Sequence, residues 1–484
     1  MSADAGSSRS IVLIGAGSTV FTPGLMADLV SNRTFDGWTV HLVDLNAEAA
    51  EVMARVGRRL AEARGADVTF VPHTDRREAL PGARIVTTTI AVGAAEGWGL
   101  DLEVPGAYGV VQTVGDSVGP GGVLRALRHV PELVAIARDV ADLAPRAQLV
   151  NYSNPLTANV RGVTAETGVP TIGLCHGTMH TLAKLNADLG LADRADEVHA
   201  TFAGLNHLCW LLDYRLGTED LYPRLAALVQ ERAGGHDTPT SGEEGVHLPV
   251  SADLYRTFGR YPAPGDRHVA EFFGWYLRSS DGSAVEEDHL PWGLQQGRDD
   301  TIRYIGQKAD LWERLHDQAD GRVPVDGARR DQEAERLVSI AEALVTGREH
   351  VELAVNVPNR GAIANLPDDA VVEVPAVVGA AGVVPLRVGP LPPAIAAVLT
   401  ARAQQQELTV QAALRGDREL ALQALALDPL VPGPDVARRI LDDAVGAHGP
   451  TLAAFSSPDD AARPDTAAGS PARPHASPAR TENA

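Results

Sequence analysis

Short apolar runs recur from Ile11 to Leu174, with helical rhythm between them. The runs are Ile11-Val-Leu-Ile-Gly, Trp38-Thr-Val-His-Leu-Val-Asp44, Val68-Thr-Phe-Val, Arg84-Ile-Val-Thr-Thr-Thr-Ile, Ala147-Gln-Leu-Val-Asn-Tyr and Val169-Pro-Thr-Ile-Gly-Leu. The first is short and apolar enough to suit a buried parallel strand, the second alternates into a strand that ends in an acid, and the others read as further strands. Residues 23–31, 46–64 and 130–143 repeat their apolar positions at helical spacing. Strands alternating with helices predict an α/β fold, a parallel sheet with helices on both sides.

The first run leads into Gly15-Ala-Gly17-Ser18-Thr19-Val20 and then a helix. Glycines at 15 and 17 let the backbone approach a pyrophosphate at a helix N-terminus. Val20 stands where the usual fingerprint has its third glycine. Asp44 ends the second run, where an acid can bind a ribose hydroxyl. Its charge opposes the extra phosphate of NADP, so the expected cofactor is NAD. Gly15, Gly17, Ser18, Thr19 and Asp44 are the candidate cofactor residues. The bland alternative is an ordinary strand-to-helix turn.

Four polar clusters interrupt apolar or glycine-rich stretches. Asn151-Tyr-Ser-Asn154-Pro155 follows a strand, at the end that faces the ligand crevice of an open parallel sheet. Asn154 can donate to and accept from sugar hydroxyls, although an Asn-Pro turn alone explains it. Gly173-Leu-Cys175-His176-Gly177 sets a thiol and an imidazole between glycines. Both groups ligate transition metals, and imidazole moves protons near neutral pH. A buried, inert cysteine is the competing reading. Gly204-Leu-Asn206-His207 places a histidine among apolar neighbours. Tyr261-Pro-Ala-Pro-Gly-Asp266-Arg267-His268 packs acid, base and cation after a Pro-Gly turn, which a charged surface loop also explains. Two protein ligands leave coordination positions open for substrate oxygens.

From 198 the texture changes, with helical patterns over 225–232, 301–316, 331–346 and 392–425 and a loop over 236–245. The expected division is a flexible lead over 1–9, a nucleotide-binding domain over 10–197, a mixed α/β domain over 198–450 and a disordered tail over 451–484. That tail is rich in Ala, Pro and Ser. Apolar residues make up 44% of 484, enough for a sizeable core. Two cysteines cannot build a disulfide framework, so a reducing compartment is expected. The start lacks an apolar run of signal-peptide type, and nothing suggests a membrane span. A net charge of −21 disfavours nucleic acid and anionic membranes as partners. A cytoplasmic protein is expected.

Together these clusters resemble glycoside hydrolase family 4. The resemblance rests on Ile14-Gly-Ala-Gly-Ser-Thr-Val-Phe-Thr, on Asp101-Leu-Glu-Val-Pro-Gly-Ala-Tyr-Gly and on Gln112-Thr-Val-Gly-Asp116-Ser-Val-Gly-Pro120-Gly-Gly122 with Ala126-Leu-Arg128. Asn154-Pro155, Cys175-His176-Gly177, Asn206-His207 and Val355-Asn356-Val-Pro-Asn359-Arg-Gly361-Ala-Ile-Ala-Asn365 follow in order. The resemblance implies a Rossmann domain followed by a mixed α/β domain, as in lactate and malate dehydrogenases. It implies a glycosidase using NAD and Mn2+ or another divalent metal, outside the usual two-carboxylate scheme. In that family NAD takes a hydride from sugar C3 while the metal holds the C2 and C3 oxygens. The C2 proton becomes acidic, a base removes it, the glycosidic oxygen leaves, water adds and the hydride returns. By resemblance Cys175 and His207 are the metal ligands, His176 the acid and Asn154 a substrate residue. Asp266 is the first candidate for the base and Tyr261 the second. Cys175-His176-Gly177 is similar to the branch acting on α-galacturonides and α-glucuronides, with Arg267 and His268 offering charge to the uronate carboxylate. An α-galactosidase or α-glucosidase of the same family is the alternative, and a malate-type dehydrogenase the alternative from another class. A small carbohydrate substrate and a homodimer or homotetramer are expected.

Overall fold

The computed structural model describes residues 9–231, 248–278, 289–325 and 336–457. The loop expected over 236–245 and the first eight residues lie outside them. Six strands build the parallel half of one sheet: β1 (Ser10–Ile14), β2 (Trp38–Val43), β3 (Val68–His73), β4 (Ile85–Thr88), β5 (Gln148–Asn151) and β6 (Thr171–Gly173). Their order is β3-β2-β1-β4-β5-β6, the doubly wound arrangement. β1 and β4 are buried throughout, which explains the unbroken apolar run of β1.

The sheet continues through antiparallel strands. These are β7 (Val198–Leu205), β8 (Leu208–Leu216), β9 (Glu219–Asp220), β10 (Pro262–Ala263), β11 (His350–Pro358), β12 (Val371–Gly379) and β13 (Gly382–Pro385). Beyond β6 the order is β11-β12-β7-β8-β10, with β13 on β12 and β9 on β8. One transverse row of register partners runs Ile14, Thr88, Asn151, Gly173, Asn356, Glu373, Gly204, Cys209, Ala263. The glycine loop, Asn154, Cys175, His207 and Asp266 all follow within a few residues of that row. The fold therefore gathers every polar cluster along one edge of the sheet.

Three expectations are corrected. The helix expected over 130–143 starts earlier, as Gly119–Leu143. The glycines in its first turn are there for close packing. A Cβ at Gly121 would lie 2.6 Å from the Gly115 carbonyl oxygen, and one at Gly122 2.6 Å from the Ser117 carbonyl carbon. The pattern over 392–425 is two helices, Pro393–Arg415 and Arg418–Ala426, because Gly416 turns left-handed between them. Residues 451–455, expected in the disordered tail, are instead part of the 3-10 turn Gly449–Phe455, which buries Leu452 and Phe455. Residues 458–484 lie outside the described residues. No described helix is long and apolar enough to cross a membrane.

Candidate functional site

The glycine loop closes over the C-terminal end of β1. Gly15 has φ +84°, and a Cβ there would sit 2.8 Å from the Thr89 carbonyl carbon. Gly17 donates its N–H to Asp44 Oδ2 at 2.7 Å, where a side chain on Gly17 would collide. Asp44 Oδ1 accepts from Asn46 N–H at 2.9 Å, and Asn46 caps helix Ala47–Arg64. Ser18 Oγ accepts from Phe21 N–H at 3.2 Å, at the start of helix Phe21–Ser31, and Thr19 is half-buried in the loop. The loop thus presents bare backbone at the reversal of strand order between β1 and β4, where open α/β sheets take ligands.

A second constellation stands beside it. One atom each from Asp116, His207 and His268 lies within 4.8 Å of the others, and the two imidazole centroids are 4.1 Å apart. Asn154 Nδ2 donates to Asp116 Oδ2 at 2.8 Å, and Ser117 Oγ donates to Oδ1 at 2.7 Å. Cys175 is hydrogen-bonded to His207, and Gly177 N–H points at its sulfur at 3.5 Å. Burial alone would raise the Cys175 thiol, but His207 outweighs it and holds the thiol below its ordinary range. Burial is the largest single influence on His207 and depresses it, but Cys175, Asp116 and Glu373 together raise it to about 9. His268 is pushed well below its ordinary value by burial, then by His207 and Arg267. Two imidazoles and a carboxylate converge here, with the Cys175 sulfur on His207. The Nδ1 atoms of His207 and His268 make no hydrogen bond among the described residues. That donor set fits a borderline-soft divalent cation.

His176 follows Cys175 directly, at the start of helix Gly177–Asp188. Its ring faces Phe21 at 6.4 Å and His180 at 6.0 Å. Gly177 has a packing reason of its own: a Cβ there would lie 2.3 Å from Pro264 Cβ.

Several expected residues are placed elsewhere. His268, expected at the substrate carboxylate, joins His207 and Asp116. Both oxygens of Asp266 are engaged, by Val250 N–H at 2.8 Å and by Ser251 N–H at 2.8 Å and Oγ at 2.6 Å. It therefore caps helix Pro249–Phe258, and burial raises it to about 6 despite those donors. Tyr261 is 1% exposed, in an apolar cluster with Phe202, Leu211 and Tyr214. Arg267 is half-buried and donates from Nε to His268 Nε2 at 3.3 Å. Two residues that received no role are in place. Asp116 was legible only as part of a glycine-rich motif. Arg125 is 8% exposed, donates from Nε to the Asn154 carbonyl at 3.1 Å and lies 5.3 Å over the Trp98 ring. Its NH1 makes no hydrogen bond among the described residues.

The family 4 glycosyl hydrolase model matches residues 10–191, and the family 4 glycosyl hydrolase C-terminal domain matches residues 202–431. An α-galactosidase of Rhizobium meliloti is 31% identical over 94% of this chain and 91% of its own. An α-galacturonidase of Bacillus subtilis is 32% identical over 87% of this chain and 93% of its own. A 6-phospho-α-glucosidase from gut microorganisms, solved with NAD and Mn2+, superposes with TM-score 0.75 over 92% of this chain and 99% of its own at 21% identity.

Proposed function

The chain belongs to family 4 of the glycosyl hydrolases, and from that premise we propose that it hydrolyses α-uronides with NAD and a divalent cation at one sheet edge. The malate-type reading gives way to this family membership. The observation that supports the cofactor reading is the juxtaposition of two features. The loop of Gly15, Gly17, Ser18, Thr19 and Asp44 would hold NAD. Cys175 and His207, joined by Asp116 and His268, would hold Mn2+ or a similar ion. When bound, the two groups supply reversible hydride removal at sugar C3 and polarisation of the C2 and C3 oxygens. The residues do the rest. Asn154 orients the ring through its amide, itself fixed by Asp116. His176, next to Cys175 and facing Phe21 at the start of the helix after the glycine loop, delivers a proton to the leaving oxygen. Asp266 and Tyr261, engaged in a helix cap and an apolar core, leave the list of bases.

The uronide assignment rests on cations. Arg125 is buried beside Asn154 with one guanidinium nitrogen unsatisfied, a costly state that a carboxylate would relieve. Arg267 stands next to His268. A charge-assisted contact is worth roughly 1.5–3 kcal/mol, which is about a tenfold to hundredfold preference. A neutral α-galactoside is the second reading, favoured by the 31% identical α-galactosidase. The test compares kcat/KM on p-nitrophenyl α-galacturonide, α-glucuronide and α-galactoside, with NAD, Mn2+ and a thiol reductant present. We expect an α-uronide to win by at least about tenfold, and Arg125→Leu and Arg267→Leu each to lose that preference. A wild type that prefers the neutral sugar overturns the uronide assignment and leaves the family untouched.

A further inference from the structure

Behind Cys175 and His207 lies a carboxylate that the reaction scheme does not use. Glu373, the third residue of β12, is 2% exposed. Thr178 Oγ1 donates to its Oε1. Asn206 Nδ2 and Asn356 Nδ2 both donate to Oε2, at 3.1 and 2.8 Å. These donors come from three separate pieces of the site. Thr178 lies three residues after Cys175, Asn206 immediately precedes His207, and Asn356 is the register partner of Gly173, two residues before Cys175. Glu373 itself pairs with Gly204 at the base of the His207 hairpin.

The orientation of the two asparagines is informative. Each turns its amino group to Glu373 while its carbonyl oxygen, buried, makes no hydrogen bond among the described residues. Such unsatisfied acceptors are costly, and two of them around one carboxylate mean that the anion dictates the arrangement. The carboxylate also acts electrostatically on both Cys175 and His207.

We propose that Glu373 is the positioning residue of the cation centre, a buried anion that ties the Cys175 loop to the His207 hairpin and favours positive charge between them. This rests on the reading of Cys175 and His207 as cation ligands. Groups behind metal ligands typically govern affinity by about 10- to 100-fold.

Calorimetric titration of the full-length chain with Mn2+, alongside titration with NAD, tests it. Glu373→Gln keeps the volume and removes the charge. It should weaken Mn2+ by at least about tenfold and leave NAD affinity unchanged. Glu373→Asp, which keeps the charge, should recover part of the loss. Thr178→Val cuts one tie without touching charge or ligands, should weaken Mn2+ less than Glu373→Gln, and decides the matter if Glu373→Gln fails to fold. Unchanged Mn2+ affinity in the folded variants overturns the proposal, as does an equal loss of Mn2+ and NAD binding, which would make Glu373 a general fold residue. Cys175→Ser separates the two levels. If it binds Mn2+ like the wild type, or if the wild type binds none, the ligand reading itself fails.

Discussion

His207 is the second residue of a two-residue connection between β7 and β8, with φ +64°. A non-glycine residue held left-handed and buried is strained, and strain of this kind collects where function fixes a side chain. Glycine would relieve it; alanine would not. His207→Gly should therefore be more stable than His207→Ala, by about 0.5–1 kcal/mol in denaturant unfolding, while both lose Mn2+ binding. Equal stability of the two variants would mean that the backbone there is unstrained. Glu271 makes a second residue-scale test. It is 1% exposed and accepts from Val114 N–H at 2.7 Å, Gly115 N–H at 2.9 Å and Thr113 Oγ1 at 3.1 Å, clamping the loop that ends in Asp116. Burial raises its carboxyl to about 7. A carboxyl raised on folding binds its proton more tightly in the folded chain, so its contribution is full below its unfolded value and is lost as pH rises through about 7. The stability difference between wild type and Glu271→Gln should shift against the wild type from pH about 4.5 to 7, by an amount on the order of 3 kcal/mol. A difference that does not move with pH would contradict the burial argument.

At the scale of elements, helix Pro249–Phe258 has no side-chain cap of its own at Leu248. Asp266 supplies one from a distant turn, which also aims Arg267 and His268. Asp266→Ala should cost about 1–2 kcal/mol in denaturant unfolding, with a folded fraction that still turns over substrate. Complete inactivity of well-folded Asp266→Ala would restore Asp266 as the base. Short-range patterns showed this turn as acid next to cation, but they could not show where the acid points. The partner is the backbone of residues 250 and 251, which sequence spacing does not connect to 266. Strand β1 was legible because burial on both faces leaves an unbroken apolar run, and β2 because its half-buried face leaves an alternation. The start of helix Gly119–Leu143 was not, because glycine and proline signal breaks in the chain and close packing in space equally well.

Across the whole molecule, the glycine turn after β1 was legible from two glycines and an acid, and Cys175 and His207 stood out as polar breaks in apolar stretches, their ligand roles coming from the resemblance alone. The grouping of His268 with His207 and Asp116 was not, because it depends on β8 pairing with both β7 and β10. Long-range pairing of this kind leaves no trace in local periodicity. Neither did Glu373, which reads as one acid in a strand and matters only through the row of partners it meets across the sheet.

The central claim is that this fold hydrolyses a glycosidic bond with a cofactor that returns unchanged. Enzyme stripped of NAD and supplied with Mn2+, reductant and the best nitrophenyl α-glycoside measures it directly, with nitrophenol and NADH followed together. The account predicts no nitrophenol until NAD is added, then many turnovers per NAD with no net NADH. Full activity without NAD, or one NADH formed for each bond broken, would contradict it.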